Sequence, residues 1–281
     1  PATPANPRRP INAADICVCD LRDVAGGWSH ETTVDPDEIA IDPRLGRVVL
    51  GSNVTGPILA TFHSGFSRAI GGGEYERQLD GEALATQRTA VGGEALQPHL
   101  DAIAGGGRLV IADSLTYAET PVFSVTDVTA AGLPGLEVVV TARNGARPLI
   151  ASGGAILLDI GARGRLVLEG LVISGGELQI ASAADDEPRE LVLRHCTLVP
   201  GQRLNPDGSA ASPGVLSLSV ANPFASVTLE HCIVGAVQIE GDATIHLSDC
   251  IVDAGAPDAM AFAGLAPGRP GGELTVRNST L

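Results

Sequence analysis

This sequence predicts an all-β chain of stacked rungs, a parallel β-helix, and three observations carry the prediction. One eight-residue pattern recurs through the second half of the chain. Its apolar residues alternate with period two, the spacing of a strand with one buried face. Turn formers are dense, with 35 glycines and 19 prolines in 281 residues, so the strands must be short.

The repeats fix the rungs. "LVLEGLVI", "LVLRHCTL", "VTLEHCIV", "IHLSDCIV" and "LTVRNSTL" begin at residues 166, 191, 227, 245 and 274, with spacings of 25, 36, 18 and 29 residues. Self-similarity at such a period marks a solenoid, whose units are too open to bury an apolar face alone and must stack. The excess length falls in turn-rich insertions, Gly201–Gly214 and Asp253–Gly272. "LVIADSLT" from Leu109 fits the same frame and "LEVVVTAR" from Leu136 fits it loosely. A second apolar run follows each of three rungs, "GELQIA", "VLSLSV" and "AVQIEG", so a coil holds two to three strands. An antiparallel sandwich also uses short strands, but it does not predict one pattern recurring in register.

An open solenoid end would recruit other strands unless covered. Leu96, Leu100 and Ile103 lie at i, i+4 and i+7, so Gly92–Gly107 reads as a capping helix, with Pro98 tolerated in its first turn. At the other end the sequence stops at Leu281 inside a repeat. The expectation is a longer parent chain, or a partner over the last rung. Residues 1–80 lack the repeat and read as a small antiparallel β module with a linker; 81–281 read as the capping helix and β-helix. In the module, "IAIDPRLGRVVLG" is strand, turn, strand, with Pro43 and Gly46 in the turn. "ILATFHSGF", Ile58–Phe66, reads as a third strand and the glycine run Gly71–Tyr75 as linker.

Composition removes several function classes. The formal charge is −15 and no lysine occurs, so every cation is arginine or histidine. A nucleic-acid binder needs a basic footprint, and none is visible. Phosphate loops and Schiff-base chemistry need the missing lysine. No apolar run is long enough for a membrane span. Aromatics are 3% of the chain, which leaves few platforms for stacking sugars.

The chemical candidates are few. His195, His231 and Asp249 share one column of the aligned repeats, with Asn278 and Asp113. With rungs about 4.8 Å apart they form the one candidate metal site, and no other cofactor is implied. The favoured reading of the same residues is a column of turn residues, since His, Asp and Asn tolerate turn backbone angles. Cys196, Cys232 and Cys250 fill the next column, above Ser279 and below Leu171, and a column shared with leucine points inward. Buried cysteine behaves as a small hydrophobe, so free thiols are expected. His195 and Cys196 then face different ways and form no nucleophilic pair. A hydrolase would need paired carboxylates in a groove. Asp185, Asp186 and Glu187 sit on one loop and read as a solvated charge run, with Arg189 and Arg203 the nearby cations. His63 reads as a partly buried strand residue, and Trp28 as an anchor of the N-terminal segment or a partner contact.

"IAIDPRLGRVVLG", "ATFHSGFSRAIGGGEYER", "LVLEGLVISGG" and "LVLRHCTLVPG" together resemble a group of bacterial right-handed β-helix proteins encoded beside phage-tail-like or contractile-injection particles. The resemblance spans roughly residues 35 to 281. It implies a structural or display role on a particle, released or at a cell surface, and brings no catalytic residues. The expectation is a non-enzymatic module with protein partners or a second copy at the last rung. The rival readings are a tailspike-type polysaccharide lyase or hydrolase and a glycan-binding adhesin. Loops Asp185–Arg189, Gly201–Gly214 and Asp253–Gly272 are where a glycan groove is expected.

Overall fold

A computed structural model describes residues 11–43, 46–55, 69–78, 84, 86–127, 135–205, 209–266 and 268–281. Contacts divide the chain into two units, Pro1–Gly65 and Phe66–Leu281.

In the second unit three parallel sheets wind as a right-handed β-helix. One sheet has eight strands, from Gln87–Ala90 at one end to Glu273–Arg277 at the other, and the other two have six each. Each coil visits the three sheets in turn; Arg165–Glu169, Val172–Ser174 and Leu178–Ile180 make one coil. The "GELQIA", "VLSLSV" and "AVQIEG" runs supply the third sheet at Leu178–Ile180, Leu216–Val220 and Ala236–Ile239.

Register turns the repeat into a core. Leu109, Val140, Leu168, Leu193, Leu229 and Leu247 pair in succession from rung to rung, and all are buried. Full burial of each such side chain contributes about 1.5–3 kcal/mol, and the stack repeats the term at every rung. Leu109 pairs with Val140, two residues away from the place the sequence frame assigned it. Leu136 is out of the frame by two residues in the opposite sense, since Val138 pairs with Leu166. A shift of two preserves which side chains face inward, so the alternation alone does not reveal it. It also takes Asp113 out of the turn column. Its carboxylate instead accepts from the Gly92 N–H, the Leu115 N–H and the Tyr117 hydroxyl.

The capping helix is Gln97–Ile103, with a proline in its first turn, and Leu96, Leu100 and Ile103 are buried on the first coil. The Gln97 side chain extends the pairing. Its amide nitrogen donates to the Val122 carbonyl (3.2 Å) and its oxygen accepts from the Val122 N–H (2.8 Å). A helix end therefore satisfies a strand edge that would otherwise be open.

In the first unit Ile39–Asp42 and Arg47–Leu50 pair antiparallel, and Ile16–Val18 adds a strand parallel to the first. The Arg47 guanidinium lies over the Trp28 ring at 4.8 Å and donates to the Leu21 carbonyl. Trp28 is thus an internal anchor of this unit. The strand read at Ile58–Phe66, with His63, lies outside the described residues.

Candidate functional site

The His–Cys columns are the densest array of chemical side chains in the solenoid. Gly170, His195, His231, Asp249 and Asn278 follow one another at the turn between the first and second sheets. Their φ values are 74°, 50°, 53°, 55° and 50°. That left-handed region suits Gly, Asn, Asp and His, which explains the residue types. The first four pass their backbone N–H to the next rung, Gly170 to the Arg194 carbonyl among them. His195 donates to Glu230, His231 to Ser248 and Asp249 to Arg277. The His195 and His231 rings stack, 4.8 Å apart and 6° from parallel. Among the described residues no group of three His, Cys, Asp or Glu side chains is placed to hold a metal ion.

The cysteines serve the same turn. Cys196, Cys232 and Cys250 are buried and free. Each sulfur lies about 3.3 Å from a carbonyl of the preceding rung, those of Leu168, Leu193 and Leu229. The Cys250 sulfur accepts from the Cys232 N–H, and the Ser279 hydroxyl from the Cys250 N–H. A left-handed residue interrupts the ladder, and the small side chain after it takes up the exposed backbone groups. Burial pushes the Cys196 thiol up to about 12, so it stays protonated at neutral pH and is no nucleophile.

A strap covers part of this column. The segment before the first rung, residues 69–78, runs back along the solenoid across several rungs. The Gly71 N–H reaches the His231 carbonyl (2.7 Å) and the Gly72 N–H reaches the Thr197 hydroxyl (3.0 Å). A Cβ at Gly71 would meet the Thr197 hydroxyl at 2.5 Å, and one at Gly72 the Leu171 carbonyl at 2.7 Å. The glycine run read as linker is therefore a stretch that must lie flat on its neighbour. Tyr75 bonds the Gly71 carbonyl and His195 Nδ1 through its hydroxyl, the latter at 3.0 Å. Arg77, only 5% exposed, donates to the carbonyls of Gly73, Ala142 and Arg143, while Asn144 bonds both its backbone N–H and its carbonyl. Beyond it Leu84 packs on Val139, Val167 and Val192, an apolar stripe on the outer face of the large sheet.

Burial under the strap lowers the His195 pKa to about 4; the adjacent His231 and Arg77 charges push the same way, and Glu230 opposes. The acidic loop is also tied. Asp185 forms two hydrogen bonds of 2.8 Å to the buried Arg189, which holds its carboxyl at about 2. Arg189 donates further to the carbonyls of Ile160 and Glu187. This cation organises a turn. No sequence signal marked Tyr75 or Arg77; the only available hint was three glycines in a row without the Asn or Pro of a turn.

No family model, curated protein or solved structure matches the chain. Among the described residues no helix is long and apolar enough to cross a membrane.

Proposed function

We propose that this chain is a non-enzymatic structural or display module, a rigid β-helical component of a phage-tail-like or surface particle. The observation that carries this reading is the use made of its most reactive-looking residues. His195, His231, Asp249 and the three cysteines are engaged in turns and ladder bonds, and the chain's own upstream segment lies over the column. Stacked rungs give length and stiffness from short repeats while the insertions remain free to vary. A protein partner or a second copy of the chain, meeting the last rung, belongs to the same reading. Leu274 and Val276 of that rung align with the buried Ile245 and Leu247, and Val276 is 43% exposed.

The test is to tag the chain in its native host, purify particles by sedimentation and probe them. Co-sedimentation with a tail-like particle is the expected result. Recovery only as a free monomer overturns the reading. Incubation with acidic polysaccharides is expected to release no new reducing ends or unsaturated products; reproducible cleavage would establish the enzyme instead.

A further inference from the structure

We infer that Cys17 and Cys19 form a two-thiolate site for a soft monovalent cation, copper(I), on one face of an edge strand in the first unit. The proposal does not depend on particle membership, and both residues lie within Pro1–Gly65. They differ from the three cysteines of the solenoid. Cys196, Cys232 and Cys250 are buried with their sulfurs against carbonyls of the preceding rung, whereas Cys17 is exposed and Cys19 half-buried. An exposed thiol contributes little packing, so its reactivity is the property left to use. The two thiols also hydrogen-bond one another.

The backbone fixes this pair. Ile16–Val18 runs parallel to Ile39–Asp42 at the edge of the three-stranded sheet, with Cys17 opposite Ala40. The Cys19 N–H continues the ladder to the Ile41 carbonyl at 3.0 Å. Residues two apart in a strand project from the same face, so both sulfurs stand on one side and Val18, 66% exposed, on the other. The Asp42 and Asp20 carboxylates lie near Cys19, and Asp42 already accepts from the Leu21 N–H at 2.9 Å.

That geometry selects the chemistry. At about 3.3 Å per residue the two Cα atoms of the strand are ~6.6 Å apart. A disulfide needs its Cβ atoms about 3.5–4.5 Å apart, so closing one would bend the strand off its ladder. An ion between the sulfurs removes the conflict. Two metal–thiolate bonds of about 2.3 Å each let the sulfurs stay ~4.6 Å apart, which an extended strand supplies without moving its backbone. Among the described residues no third His, Cys, Asp or Glu joins them to hold a metal. Two thiolates alone suit copper(I), which binds in line between them; zinc takes four ligands, and carboxylate oxygens are too hard to compete for the soft ion. On binding, each S–H bond gives way to an S–Cu bond. Two protons leave to solvent and the copper(I) bis-thiolate carries one negative charge; no electron is transferred.

The experiment is anaerobic titration of the reduced full chain with copper(I) in competition with bicinchoninate, followed by X-ray absorption at the copper edge. One copper(I) per chain with two sulfur neighbours is expected. Cys17→Ser and Cys19→Ser are each expected to weaken binding by more than the ~100-fold that loss of an outer-shell partner costs, with an unchanged thermal unfolding midpoint. A chain carrying both Cys17→Ser and Val18→Cys keeps two thiols but places them on opposite faces, and it is expected to lose the site equally. Zinc(II) is expected not to displace the copper. Copper left wholly with bicinchoninate overturns the proposal. So does binding that neither serine variant reduces, equal binding by the face-shifted pair, or displacement by zinc(II).

Discussion

One turn column is built in two settings. Gly170, His195 and His231 lie under the strap, while Asp249 and Asn278 continue the column past the strap's last backbone bond, that of Gly71 to His231. The backbone is the same in both, with φ between 50° and 55° at each non-glycine position. The conformation therefore belongs to the turn of each rung and not to the strap. What the strap adds is burial. It desolvates His195 and seats Arg77 against Gly170, whereas beside Asp249 and Asn278 the strap contributes Ile70.

The largest test of that contrast is valine in the two settings. Gly170→Val is expected to cost at least ~3 kcal/mol, from the left-handed backbone and from collision with the Arg77 guanidinium, 2.6 Å from the added Cβ. Asn278→Val carries only the backbone term, about 1–2 kcal/mol. Urea unfolding measures both; equal losses would show that the strap contributes nothing. Next, Arg77→Met removes charged hydrogen bonds to buried carbonyls and is expected to cost about 2–3 kcal/mol. The same change at exposed Arg277 is expected to stay within ~0.5 kcal/mol.

A pH series sharpens the contrast further. The His195 pKa is depressed in the folded chain, so the unfolded chain binds its proton more readily. Stability is then complete above about pH 6.5 and is lost as pH falls towards about 4. The groups facing this ring are His231, Arg77, Tyr75 and Glu230. His195→Gln is expected to flatten the unfolding midpoint across that window; an unchanged slope would remove His195 as its source. The smallest effect concerns the thiols and leaves stability untouched. Native protein is expected to react with a thiol reagent at Cys17 and Cys19 only, and denatured protein at all five cysteines. Reaction of Cys196 at the native rate would place it outside the core.

The sequence by itself determined the rungs. Period-two alternation specifies a buried face, and recurrence of "LVLRHC" in register as "VTLEHC" and "IHLSDC" specifies stacking, because both are local properties repeated along the chain. It also separated His195 from Cys196, since one column holds turn formers and the next is shared with Leu171 and points inward. The capping helix was legible for the same reason, through Leu96, Leu100 and Ile103. Only the tertiary structure decided the rest. The two-residue shift at Leu109 and Leu136 was hidden because it keeps the same face inward. Tyr75 and Arg77 were silent because their partners, His195, Ala142 and Asn144, lie 65 to 120 residues away. No pattern within one segment encodes contacts that arise only when the chain folds back along its own rungs.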